Sequence, residues 1–169
     1  MKRLLLSIFF ILFITKLNYA QVEMSKAQAM FSYNFTKFFD WPQSEKQGDF
    51  VMGVLASRDL ALELEKVTAG KKNVTQPIVV KYFRNIEDVE KCHVIFVAAI
   101  KSNEIPNIHS KTGNHCLIIT DSNSGVEKGA AIQFVTEGNR LKYDFKSENA
   151  LKHGLKFHSK VKEMARNNY

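Results

Sequence analysis

The sequence predicts an α/β fold: a Rossmann-like three-layer sandwich with a mostly parallel sheet of about five or six strands and an antiparallel hairpin at the edge. The middle of the chain alternates between strand-like and helix-like segments. Its strand-like segments are continuous apolar runs, which is typical of a parallel sheet covered on both faces. Residues 131–145 alternate in polarity on both sides of Gly138 and Asn139, which indicates a hairpin.

Residues 1–20 are predicted to be a secretory signal peptide. Two basic residues precede an apolar run from Leu4 to Ile14, and Ala20 supplies a small residue for cleavage. The alternative is a membrane anchor, but a helix needs about 20 apolar residues to cross a bilayer. We therefore expect a periplasmic, exported protein with a single domain at residues 21–169 and no later membrane span.

The charge balance argues against a nucleic-acid partner. The whole chain has a net charge of +7, from 24 basic and 17 acidic residues. Removal of the signal peptide takes away three basic residues and leaves 21 against 17, or +4. An exported protein with so mild a charge has little occasion to bind DNA or RNA.

The first element of the domain is predicted to be a helix from Val22 to Asp40. Apolar residues recur there at helical spacing, and Pro42 disfavours helical geometry at Trp41, so the helix should stop there. Three aromatic residues share one face of this helix and are expected to pack against the sheet: Phe31, Phe35 and Phe38.

Three further aromatic residues lie off that face or at the end of the helix. They are Tyr33, Phe39 and Trp41. A single core-facing stripe cannot easily hide all of them, so we expect them to form an exposed patch that binds a partner. The alternative is that the rest of the chain covers them.

The remaining elements follow from apolar runs and their boundaries. A helix is expected over residues 59–70, because Ser57 or Asp59 can cap its start and Gly70 can end it. A short helix is expected at 103–109, and two helices should close the chain, at 147–154 and 157–167. Apolar runs predict four strands before the hairpin: Phe50–Leu55, Pro77–Phe83, Cys92–Ile100 and Cys116–Asp121.

Cys92 and Cys116 are the two cysteines of the chain. An even number of cysteines in an exported protein favours a disulfide. Each cysteine begins a strand-like run, so in neighbouring parallel strands, about 4.8 Å apart, they would lie at the same end of the sheet. A Cys92–Cys116 bridge is therefore predicted, and two buried free thiols are the alternative.

No motif indicates catalysis or a cofactor. The chain has no GxGxxG, no P-loop and no GxSxG elbow. Cys92 and His93 should point to opposite faces of their strand, which argues against a Cys–His pair. A zinc or copper site at Cys92, His93, His109, His115 and Cys116 is the alternative, but their spacing matches no compact motif. We expect no catalytic residue, no cofactor and no metal.

Several motifs in the same order resemble the YfiR-like family over about Lys26 to Arg166. They are YNFTKFFDWP, CHVIFV, TDSNSG leading into GAAIQFV, and GLKFHSKV. The resemblance implies a periplasmic, non-enzymatic regulator with a tendency to dimerise. Such a regulator binds the periplasmic part of an inner-membrane diguanylate cyclase and represses it, so that its release raises cyclic-di-GMP output and biofilm formation. Family disulfides stabilise the fold, and Cys92 matches the family's strand cysteine.

Three functional hypotheses follow. The leading one is an adaptor that modulates an inner-membrane diguanylate cyclase or histidine kinase, with a homodimer permitted. The second is a periplasmic sensor that binds a small ligand at the strand ends near Ala56–Asp59 and Ala98–Lys101. The third is an envelope enzyme that uses a disulfide or a metal.

Overall fold

The computed structural model describes residues 23–169. The predicted signal peptide lies outside the described residues, so its cleavage and the start of the domain stay predictions. Within the described part of the chain, no helix has the length and apolar character needed to cross a membrane.

An eight-stranded sheet forms the centre of the protein. Its order is β10-β8-β7-β6-β5-β2-β4-β3, and a separate pair joins β1 to β9. Five of the seven neighbouring pairs are parallel; β7–β8 and β3–β4 are antiparallel. The strands are β1 (Phe39–Asp40), β2 (Phe50–Leu55), β3 (Lys72–Asn73), β4 (Gln76–Phe83), β5 (Val94–Val97), β6 (Leu117–Thr120), β7 (Ile132–Glu137), β8 (Arg140–Phe145), β9 (Lys156–Phe157) and β10 (Asn167–Asn168).

Helices and 3₁₀ segments connect these strands. Helix α1 includes residues 23–35. The other α-helices are α2 (Arg58–Thr68), α3 (His109–Thr112), α4 (Gly125–Lys128), α5 (Ser147–Lys152) and α6 (Lys160–Glu163). The 3₁₀ segments are Gln43–Glu45, Ile86–Asp88 and Ala99–Asn107.

Each face of the sheet carries its own apolar cluster, because successive residues of a strand point to opposite sides. Val94 and Phe96 of β5 join the first cluster, together with Leu60 and Leu64 of α2. Ile95 joins the second cluster, which packs under the 3₁₀ segment Ala99–Asn107 and the start of α3. The α/β class and the mostly parallel sheet are confirmed.

Two details of the predicted architecture are wrong. The sheet has eight strands rather than five or six, because β3 and β10 contain only two residues each and leave no apolar run in the sequence. The hairpin β7–β8 forms as predicted, but β10 lies outside it, so the hairpin is not the edge. The three-layer Rossmann-like form is not confirmed, because 3₁₀ and single-turn segments cover the second face.

The first helix also ends earlier than predicted. Three consecutive turn bonds follow Phe35, beginning with the Thr36 N–H donating to the Tyr33 carbonyl at 3.1 Å. The chain then extends as β1, where Phe39 pairs with Phe157 of β9. Pairing with a segment more than a hundred residues away therefore overrides the local helical pattern. Phe35 is buried in the core as expected, whereas Phe31 and Phe38 are partly buried against it.

Other boundaries shift in the same way. The third predicted strand is only Val94–Val97, since Ala99–Asn107 turns into 3₁₀ geometry. Residues between the two closing helices form β9, and Gly125–Lys128 forms a helical turn instead of a loop. Strand β2 and helix α2 lie where they were predicted, to within about two residues.

Candidate functional site

Trp41 is buried, so the prediction that it is exposed is wrong. It is 3% exposed, and its ring packs edge-on against Phe50 at 4.8 Å between centroids. Its indole N–H donates to the carbonyls of His93 at 3.2 Å and His115 at 3.0 Å. These two residues precede β5 and β6, so Trp41 fastens the N-terminal segment to the amino-terminal end of the sheet.

Phe39 is also buried, at 6% exposure, and its predicted exposure is wrong for a related reason. Its ring contacts Phe145 and Phe157, both at 6.1 Å between centroids. The β1–β9 pairing directs Phe39 into the core, and that pairing has no signature in the local sequence. Whether these residues bind a partner is a separate question, and it stays a prediction.

Tyr33 remains half-buried, and two lysines surround its ring. The ammonium of Lys37 lies 4.5 Å from the ring centroid and that of Lys71 lies 4.4 Å from it. Cations over an aromatic face are attracted by its quadrupole, at about 0.5–1 kcal/mol each for exposed sites. Tyr33 is therefore an aromatic platform in a positively charged setting.

The three predicted partner-binding residues meet in one groove. A cavity of about 330 Å³ is lined by Tyr33, Phe39 and Trp41 on one side and by residues 72–76 on the other. Gln76, buried at the start of β4, closes the groove by donating to the carbonyls of Glu45, Gln47 and Gly48 at 3.0–3.3 Å. We call this feature the aromatic groove.

The aromatic groove is basic at its rim. Lys37, Lys46 and Lys72 line it against a single carboxylate, that of Asp40. Asp40 is already paired with Lys46 at 2.8 Å. The two other lysines therefore leave an excess of positive charge, which favours a carboxylate-bearing occupant. Sequence reasoning missed these lysines, because the turn that carries Lys72 is distant from the first helix in the chain.

Val74 stands at the tip of the β3–β4 turn and lines the same groove. Its φ is 56°, and it is 87% exposed. A β-branched residue in the left-handed region is a genuine outlier, and such strain concentrates at functional sites. An exposed apolar side chain held in a strained turn beside a basic groove is a contact point for another molecule.

The two cysteines are free thiols in the structure, and both are buried in the second cluster. Burial raises the pKa of Cys92 to about 12 and raises that of Cys116 well above its usual range. Because the thiolate is the reactive form, neither sulfur is a poised nucleophile at neutral pH. The predicted bridge is not present in the structure, and it stays a prediction for the oxidised protein.

His93 has a structural position beside Cys92. Its Nδ1 accepts from the Val51 N–H at 3.0 Å, which leaves Nε2 to donate to the Glu45 carbonyl at 3.0 Å. Its ring stacks on Phe50 at 4.6 Å between centroids. Burial lowers the pKa of His93, so the ring is neutral and both of its nitrogens are engaged.

The other histidines gather elsewhere. The rings of His109 and His153 stack at 3.1 Å between centroids, and Nδ1 of His115 lies 3.1 Å from the His153 carbonyl. Burial, followed by the charge of His109, lowers the pKa of His153 to about 4. Within residues 23–169, no group of three or more histidine, cysteine or acidic side chains is arranged to hold a metal ion.

The second predicted site, at the carboxyl ends of β2 and β5, has a closed backbone. The Ala98 N–H donates to the Leu55 carbonyl at 3.1 Å, and the Ala56 N–H donates to the Phe83 carbonyl at 2.9 Å. Ala56 has a φ of 63°, so the chain turns sharply there. The aromatic groove lies at the opposite, amino-terminal end of the parallel strands, whereas nucleotide crevices of open α/β sheets lie at the carboxyl ends.

Comparison with known proteins gives one match. A family model described as YfiR/HmsC-like matches residues 25–166. No curated protein matches the chain.

Proposed function

The chain belongs to the YfiR/HmsC-like family, and on that premise we propose that it is a non-enzymatic adaptor that binds an inner-membrane signalling protein. Members of this family are periplasmic regulators of cyclic-di-GMP signalling rather than catalysts. The partner is a diguanylate cyclase or a sensor kinase, and the adaptor binds its periplasmic part and represses its output. Self-association into a homodimer belongs to the same proposal.

The aromatic groove is the observation that supports this proposal. It combines the half-buried ring of Tyr33, the exposed side chain of Val74 and the unneutralised lysines Lys37 and Lys72. Aromatic anchors surrounded by charge are the usual composition of a protein-binding patch. The charge favours a partner segment with acidic residues, and the burial of Phe39 and Trp41 makes the floor rigid.

The test is a cross-linking capture from native envelopes that express the full chain. We expect an inner-membrane cyclase or kinase to be captured, and capture to fall at least tenfold for Lys72→Glu, because the groove rim loses a positive charge and gains a negative one. Lys111→Glu is the matched control, since Lys111 is an exposed lysine outside the groove. Equal capture by both variants, together with unchanged cellular cyclic-di-GMP, would refute the proposed binding surface.

A second candidate function is a periplasmic sensor of a small ligand. The observation that favours it is the volume of the aromatic groove, about 330 Å³, which is at the lower end of the range for small-molecule sites. A thermal-shift screen with anionic metabolites tests it. A dose-dependent rise in the melting temperature that Lys72→Glu abolishes would support the sensor, and a flat screen would count against it.

A further inference from the structure

One long edge of the central sheet lacks a neighbouring strand. Strand β4 pairs with β2 along residues Ile78–Phe83 on its inner side. On its outer side, β3 covers only Gln76 and Pro77. Residues 78–83 therefore have no strand beside them among the described elements.

The backbone hydrogen bonds show which groups face outward. The Ile78 N–H donates outward to the Lys71 carbonyl at 3.1 Å, whereas the Phe83 carbonyl accepts inward from the Ala56 N–H at 2.9 Å. The direction alternates along a strand, so Ile78, Val80 and Tyr82 direct their main-chain groups to the outer side. Within residues 23–169, no backbone group pairs with those of Val80 and Tyr82.

The opposite edge of the sheet is covered by the chain itself. The Arg166 N–H donates to the Tyr143 carbonyl at 2.8 Å, and the Tyr169 N–H donates to the Phe145 carbonyl at 2.9 Å. Strand β10 pairs with β8 between these two bonds. The described chain thus covers the outer edge of β8 and leaves the outer edge of β4 unpaired.

The exposed edge also lacks the usual protection against pairing. Natural edge strands are blocked by charged residues, prolines or bulges. The part of β4 from Ile78 to Phe83 contains one charged residue, Lys81, and Glu90 of the same chain already neutralises it. Its other residues are Ile, Val, Val, Tyr and Phe, all with high strand propensity.

We propose that the outer edge of β4 pairs with the β4 of a second copy of this chain, antiparallel and across a two-fold axis at Val80. In this register Val80 lies opposite Val80 of the second copy, and Ile78 lies opposite its Tyr82. Four backbone hydrogen bonds form: two between the Val80 residues, and one from each Tyr82 N–H to the opposite Ile78 carbonyl. The two sheets join into one continuous sheet.

The register is chosen by charge and by the Ile78 N–H. An axis at Lys81 would place two lysines directly opposite each other, which is unfavourable for like charges. An axis at Val79 would pair Ile78 with Val80 and leave the Ile78 N–H committed to Lys71. With the axis at Val80, Lys81 lies opposite Val79 and no like charges meet. This inference does not depend on the partner-binding proposal, because it concerns the isolated protein.

Sedimentation of the protein purified after expression of the full chain tests this surface. We expect a concentration-dependent dimer, and we expect Val80→Pro to weaken it at least tenfold. Proline removes only an outward N–H at this position, so the melting temperature should stay within about 2 °C of the wild type. A wild-type monomer at about 100 μM, or an association that Val80→Pro leaves unchanged, would overturn the proposal.

Disulfide cross-linking tests the register and keeps the question open to refutation if the proline variant does not fold. Val80→Cys should give a covalent dimer on mild oxidation, since opposite residues in this register lie about 5.5 Å apart between Cα atoms. Ile78→Cys is the matched control, because the two introduced thiols would be four residues out of register. Cross-linking of Ile78→Cys but not of Val80→Cys would overturn the register.

Discussion

Val74 offers a substitution that should separate stability from partner binding. We expect Val74→Asn to raise the melting temperature while it weakens binding at the aromatic groove. Asparagine tolerates the left-handed region, so it relieves the strain of a φ of 56°. It also removes an apolar side chain from the rim of the groove.

The magnitude follows from strain and exposure. A residue held in the left-handed region costs about 1–2 kcal/mol, and asparagine should recover about 1 kcal/mol of that. Full burial of a valine side chain is worth about 1.5–3 kcal/mol. Val74 is 87% exposed, so its removal loses only about 0.3 kcal/mol of packing. For a domain of this size, the net gain corresponds to a rise of about 2 °C in the melting temperature.

Differential scanning fluorimetry and envelope capture measure the two effects. Ile100→Asn is the matched control, because Ile100 is 85% exposed, is absent from the residues with positive φ, and lies outside the groove. The control should leave the melting temperature and the capture unchanged. A fall in the melting temperature of Val74→Asn would refute the strain argument, and full capture by that variant would remove Val74 from the binding surface.

Three further predictions concern the core. Stability should fall as the pH drops from about 6.5 to about 4, because burial and the charge of His109 lower the folded pKa of His153 below its unfolded value; solvent screening limits the loss to about 1 kcal/mol, and His153→Asn should flatten the measured melting curve against pH. Trp41→Phe should lower the free energy of unfolding by about 2 kcal/mol in urea titrations, because two backbone carbonyls lose their indole donor; a loss below about 0.5 kcal/mol would mean that those bonds are unimportant. In the reduced protein, Cys92 and Cys116 should resist alkylation until it is denatured, when two thiols should titrate; fast native alkylation would contradict their burial, whereas thiols that never titrate in protein purified without reductant would show the predicted bridge.

Sequence patterns predicted the elements that local physics decides. Strand β2 and the hairpin β7–β8 appeared as apolar or alternating runs, and α2 appeared between a capping position and Gly70. These signals are contained within a dozen residues, so no distant contact is needed to read them. The short strands β3, β9 and β10 were missed, because two residues carry no periodicity and form a strand only beside a long neighbour.

The candidate site was predicted in part. Tyr33, Phe39 and Trp41 do line one groove, but the expectation that they lie on an exposed patch is wrong for Phe39 and Trp41. Lysines and the strained Val74 complete the groove from a turn about 35 residues later in the chain. That juxtaposition depends on Gln76 holding residues 45–48, which no pattern in the sequence indicates.

By itself the sequence determined the class of the protein: an α/β domain of the YfiR/HmsC-like family with a mostly parallel sheet, because hydrophobic periodicity and ordered motifs are local properties of the chain. Only the tertiary structure decided which aromatic side chains are buried, where the groove forms and which sheet edge stays unpaired. The physical reason is that burial and pairing depend on partners distant in the chain. The indole of Trp41 reaches carbonyls more than 50 residues away, and β1 meets β9 across most of the domain.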